Sequence, residues 1–250
     1  RLLTPAAASG PAGGLVYGGE VPIVSAAVCP HPPLLVPAVA GGAAAELDDL
    51  RAACLTAIDQ LADADRLVIV GSGPVTGSRY DAAAGGSFGR YGAPGVRVGS
   101  GEPVLPLSLL MGSWLVSQSK AAVLPRISLT VAADETVGAC LELGQEVAAS
   151  NDRIALLVMG DGSARRSEHS PVHLHPRAEI FDSTVAAALD LADATTLAAL
   201  DPELALELQA AGRAPWQVLA GATASAELTG NLLYHAAPYG VGYFVASWTL

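Results

Sequence analysis

Three short apolar runs divide the chain, and each is closed by glycine or proline. Ile23-Val24-Ser25-Ala26-Ala27-Val28 runs into Cys29-Pro30-His31-Pro32-Pro33. Arg66-Leu67-Val68-Ile69-Val70 runs into Gly71-Ser72-Gly73-Pro74, and Ile154-Ala155-Leu156-Leu157-Val158-Met159 into Gly160-Asp161-Gly162-Ser163. Apolar runs of this length, bounded by turn residues, read as strands buried on both faces. Residues 96–98 and 126–131 are further candidates, and residues 241–248 alternate weakly and read as a last strand.

Helical spacing fills the intervals. Residues 43–62 place Leu47, Leu50, Cys54, Leu55, Ile58 and Leu61 on one stripe. Residues 105–118 form a second, more apolar candidate. Residues 136–149 form a third, with Asp134 and Glu135 suited to the positive end of its dipole. Residues 183–191 and 201–211 follow, the latter opening on Asp201-Pro202 as cap and first helical residue. Strands alternating with helices predict an α/β fold of three layers (αβα), with a mostly parallel or mixed central sheet. Residues 1–22 read as a loosely ordered N-terminal arm without a signal peptide, and 23–250 as a single domain. Residues 77–101, rich in glycine, read as the longest loop.

Composition narrows the function classes. Lys and Arg number 13 against 24 Asp and Glu, a net charge of −11. A nucleic-acid binder neutralises phosphates with a basic face, so that class is excluded. An anionic membrane surface is disfavoured on the same ground. No stretch approaches the roughly 20 apolar residues of a bilayer span. The three cysteines, Cys29, Cys54 and Cys140, have no short spacing and fit reduced thiols in a cytoplasm.

Ligands of open α/β sheets sit beyond the carboxyl ends of the strands. If the three clearest strands are neighbours, His31, Ser72 and Asp161 share one rim. Prolines on both sides stiffen the backbone at His31. A stiff His at a strand end suits a metal ligand or a general base, and equally a His held for turn geometry. The segment from Asp161 to His169 is the densest polar cluster, and Arg165 and Arg166 within it could clamp a carboxylate or phosphate. His173 and His175 share a face if extended, but Pro171 and Pro176 bracket them and favour a surface loop. Gly71-Ser72-Gly73 lacks the Lys-Ser/Thr of a phosphate loop, and no Gly-x-Ser-x-Gly elbow is present.

The run from Ala26 to Pro37, with Cys29-Pro30-His31-Pro32-Pro33 at its centre, resembles the N-terminal motif of the class III extradiol ring-cleavage dioxygenase (LigB-like) superfamily, which also holds the Memo-like proteins. The strands ending at Gly71-Ser72-Gly73 and Gly160-Asp161-Gly162-Ser163, the Phe181-Asp182 pair, the region 216–222 and Pro238-Tyr239-Gly240-Val241-Gly242 resemble later blocks of that family in order. The resemblance covers about residues 23–248. It implies a non-haem Fe(II) held by two His and a carboxylate, with a further His as acid/base. His31 matches the first ligand. The second ligand position falls on Gly73, the acid/base position on Ala164, and the stretch meant to carry the acid, 212–216, has none.

The resemblance thus implies a LigB-like scaffold without its iron site, expected to need no cofactor and to bind a small anionic or aromatic ligand. The cleft is expected to be lined by His31, Ser72, Gly73, Asp161, Ser163 and Arg165. An alternative is an active Fe(II) enzyme with rearranged ligands, drawing on His31 with His169, His173, His175, His235, Glu207 or Glu227. A third reading is an interaction protein of a larger assembly, as a homo-oligomer or with a partner chain.

Overall fold

A computed structural model describes residues 22–250. The expected arm therefore lies outside the described residues, apart from Pro22. In chain order the elements are β1 (Ile23–Cys29), α1 (Pro37–Ala40), α2 (Asp48–Asp59), β2 (Arg66–Ser72), β3 (Arg79–Asp81), β4 (Gly86–Phe88), β5 (Ala93–Val98), α3 (Leu107–Ser117), β6 (Arg126–Val131), α4 (Val137–Ala148), β7 (Ile154–Met159), α5 (Ala178–Asp190), α6 (Ala194–Ala198), α7 (Pro202–Glu207), α8 (Arg213–Thr223), β8 (Thr229–Ala236) and β9 (Tyr243–Thr249).

Seven strands form the main sheet in the order β3-β6-β2-β7-β1-β9-β8. The four central strands, β6, β2, β7 and β1, are parallel, and the outer three pair antiparallel. This is the three-layer α/β architecture with a mixed sheet. The period of two along a strand builds it. Val68 and Val70 of β2, Leu156 and Val158 of β7, and Phe244 and Ala246 of β9 enter one core with α4, α5 and α8. Leu67 and Ile69, Leu157 and Met159, and Tyr243 and Val245 enter the other with α2 and α3. Because both faces are covered, these strands carry no polar alternation.

The boundaries differ from the periodicity in instructive ways. Residues 41–47 form a 3₁₀ segment, and the α-helix begins only at Asp48. The cap of α4 is Thr136, whose hydroxyl accepts from Ala139 N at 3.2 Å, while Asp134 plays no part in it. Asp201 caps α7 as its sequence promised, but the helix stops at Glu207, just before Gln209 adopts a φ of 52°. Helix α5 starts at Ala178, five residues earlier than expected. The glycine-rich stretch 77–101 is not a long loop: β3 joins the sheet edge against β6, and β4 and β5 form a hairpin. Helix α8 was missing from the sequence reading; all eleven of its residues are buried, and its polar side chains Arg213 and Gln217, one turn apart, bond each other and neighbouring carbonyls instead of facing water.

Helices α2 and α3 follow β1 and β2 on one face, whereas α4 and α5 follow β6 and β7 on the other. The chain therefore parts in opposite directions between β7 and each of its neighbours. Such a divergence opens a crevice at the carboxyl ends of the strands.

Candidate functional site

The three rim segments meet. Cys29 pairs with Met159 and Gly71 pairs with the same Met159, so β1, β7 and β2 end at one level. The His31 backbone N–H donates to Asp161 Oδ1 at 2.8 Å. The His31 imidazole, only 8% exposed, leaves Nδ1 buried and unpaired, 3.6 Å from the same carboxylate oxygen. On the β9 side Tyr243 is buried, and burial together with the Asp161 charge raises its phenol above the ordinary value. His31 and Asp161 thus form a close pair fixed by the proline-bound turn.

The other residues expected in this cleft are committed elsewhere. Ser163 is fully buried; its amide donates to Asp182 Oδ1 at 2.9 Å and its hydroxyl donates to the Leu208 carbonyl at 3.3 Å. It braces the loop and lines no open cleft. Arg166 is not an anion clamp, because its Nη1 lies 2.8 Å from Asp182 Oδ2. Asp182 is 0% exposed, and a Cβ at either Gly162 or Gly242 would strike its carboxylate, at 2.7 and 2.1 Å. Burial raises the Asp182 carboxyl above its usual range, against the opposing pull of the Ser163 amide and Arg166. Arg165 is half-buried with its Nε unpaired, and its carbonyl accepts from His175 N at 3.1 Å. Ser72 spends its carbonyl on the Ser108 hydroxyl, at 2.6 Å.

Steric closure, and not merely a missing side chain, distinguishes the position of the second implied metal ligand. A Cβ built on Gly73 would sit 2.4 Å from Thr130 Cγ2 and 2.7 Å from Thr130 Cβ. Thr130 is 0% exposed and donates its hydroxyl to the Val75 carbonyl at 2.6 Å. A Cβ on Gly212, at the head of the stretch where the acid was expected, would sit 2.2 Å from the Trp216 ring. Ala164 offers a methyl group where the acid/base His was implied.

The displaced candidates do not repair the set. His169 is exposed on its loop. His173 is exposed, and His175 Nε2 contacts Glu207 Oε1 at 3.0 Å, which pairs these two off. His235 lies on β8, separated from β1 by β9, and stacks on Phe244 with ring centroids 4.8 Å apart. Partial burial and the Arg166 charge push its imidazole below the ordinary value. Glu227 is exposed just before β8, whose first residue Thr229 pairs with Thr249 opposite Ser25, at the far edge of the sheet from His31. Among the described residues no three His, Cys, Asp or Glu side chains converge on a point that could hold a metal ion. The residues present do not fit the Fe(II) centre that the resemblance implies.

Open space exists beside the rim, on the other side of β2. A cavity of about 600 Å³ begins at Pro74, just past β2, and lies between the start of α3 and the β4–β5 region, with Tyr80, Arg90 and Tyr91 in its lining. These residues come from the stretch read as a loop. Their one sequence signal was two Tyr, with Arg79, Arg90 and Arg97, in an otherwise Gly- and Ala-rich segment.

Fold and rim together define a three-layer α/β protein with a divergent strand-end crevice. No family model and no curated protein matches the chain. Among solved structures it is similar to the crystal structure of the uncharacterised protein JW3007 from Escherichia coli K12, with a TM-score of 0.55 and 16% identity over 91% of this chain and 100% of that one. At that identity the likeness concerns the fold.

Proposed function

We propose that this chain is a LigB-like scaffold, related to the extradiol ring-cleavage dioxygenases, that binds a small molecule and does not cleave rings. What carries the reading is the filling of the Gly73 position by Thr130. A ligand side chain there requires rebuilding the core, so a lone His31 cannot be completed by a local change. The Trp216 ring over Gly212 supports the same conclusion at the acid position. Chemistry belongs to the site and not to the scaffold, so the fold is compatible with binding alone. All three cysteines are free and buried, which agrees with a reducing compartment such as the cytoplasm. Among the described residues no helix is long and apolar enough to cross a membrane.

The test is anaerobic reconstitution with Fe(II), followed by desalting, elemental analysis and oxygen uptake on catechol and protocatechuate. The expected result is iron far below one per chain and no uptake above the buffer rate. One iron per chain, lost in His31→Ala and accompanied by ring-opened product, overturns the proposal in favour of a rearranged enzyme.

A further inference from the structure

The cavity beside β2 has a chemistry of its own. Its lining contains one charged side chain, Arg90, and no His, Cys, Asp or Glu. Among the described residues Arg90, like Arg97, Arg126, Arg165, Arg177 and Arg213, forms no ion pair, so its charge is free for a ligand. A guanidinium in the lining of a cavity, in a chain of net charge −11, is a local positive site for one anionic group. Tyr80 and Tyr91 add aromatic side chains to the lining, and Leu107 and Leu110 add apolar ones. The Tyr91 ring is held by Phe88, with centroids 6.3 Å apart and planes tilted by 54°. Arg90 itself sits in a 3₁₀ turn (Gly89–Tyr91) that reverses at Gly92, where φ is +89° and a glycine is needed. The Ser87 hydroxyl accepts from Gly89 N at 3.1 Å, which fixes the turn and leaves its own proton free to donate.

These features select among ligands. A volume of about 600 Å³ lies within the range of small-molecule pockets, about 300–1,000 Å³. One positive charge cannot balance a di- or triphosphate, so nucleotides do not fit. A planar guanidinium matches a carboxylate through two parallel hydrogen bonds, and tyrosine faces match a planar ring. With no acid, base or nucleophile of the His, Cys, Asp or Glu type in the lining, the cavity is built to hold and not to convert.

We infer that the cavity at the carboxyl end of β2 binds a small aromatic monocarboxylate, its carboxylate on Arg90 and its ring between Tyr80 and Tyr91. The inference rests on the ligand-binding reading above and moves the site away from His31. Isothermal titration with benzoate, benzamide and acetate, on the wild type, Arg90→Gln and His31→Ala, tests it. Arg90 is exposed, so Arg90→Gln keeps the fold, and its circular dichroism serves as the control. The expected result is saturable one-site binding of benzoate to the wild type and to His31→Ala, at least tenfold weaker in Arg90→Gln. Benzamide, without the charge, and acetate, without the ring, bind the wild type at least tenfold more weakly than benzoate. Equal benzoate affinity in the wild type and Arg90→Gln overturns this site. If binding is instead lost in His31→Ala, the ligand lies on the rim and only the ligand-binding reading survives. If none of the three probes binds the wild type, this site is overturned, while the reading of the chain as a non-cleaving scaffold stands or falls on the iron reconstitution above.

Discussion

Gly73→Ala isolates the closure that separates this chain from a metal enzyme. Its added Cβ lies 2.4 Å from Thr130 Cγ2, where carbon atoms attract best at about 3.5–4.0 Å. More than an ångström of overlap must be relieved by moving a side chain that is 0% exposed. Rotating Thr130 breaks its 2.6 Å bond to the Val75 carbonyl, worth about 1 kcal/mol net. Overpacking in a closed core costs about 1–3 kcal/mol. Against this stands a gain of about 0.4–1 kcal/mol from the stiffer unfolded chain. The net expectation is a loss of about 2 kcal/mol, read by urea denaturation as a lower midpoint at unchanged slope. Thr130→Gly in the same background should recover part of that loss, a coupling visible in a double-mutant cycle. Gly73→His should be at least as destabilised and should not acquire iron. A Gly73→Ala protein as stable as the wild type, or a Gly73→His protein that purifies with iron, refutes the steric argument.

Asp182→Asn removes the charge partner of the half-buried Arg166 and should cost about 3 kcal/mol at neutral pH. Because the folded Asp182 pKa is raised above its unfolded value near 3.8, the native state binds the extra proton between these two values. Wild-type stability gained from this group therefore rises as pH falls through that window, so the penalty of Asp182→Asn should grow on acidification; a penalty that shrinks contradicts the sign. Arg213→Met strands the carbonyls of Ala133 and Glu135 and the Gln217 amide oxygen, for an expected loss of about 3 kcal/mol by chemical denaturation; a neutral substitution would show that this buried guanidinium holds nothing in place. Cys29, Cys54 and Cys140 are buried, and burial pushes the Cys29 thiol well up. A thiolate reagent should therefore titrate no thiol in the native protein and three after unfolding, and fast native labelling would refute the burial.

The parallel core is legible in local pattern alone. Mainly apolar runs at 23–28, 66–70 and 154–159, and a more mixed one at 126–131, ask for cover on both faces, and helical stripes between them provide it, so αβα layering follows from local pattern. The turn residues after three of those runs placed His31, Gly73 and Asp161 at strand ends, and neighbouring strands brought those ends to one rim. What the rim residues do depends on contacts between distant segments. Whether Ser163 and Arg166 face a ligand depends on Asp182, 19 and 16 residues away, and nothing local to either segment records that meeting. A glycine at 73 reads as an absent ligand in the sequence, but its closure is a property of Thr130 on the neighbouring strand. Helix α8 carries Arg213 and Gln217 one turn apart, which read locally as a solvent-facing side, and only the tertiary contacts with the Ala133, Glu135 and Leu200 carbonyls bury them. The Arg90 cavity escaped the local pattern as well, since concavity arises between β2, α3 and the β4–β5 hairpin and is carried by none of them alone.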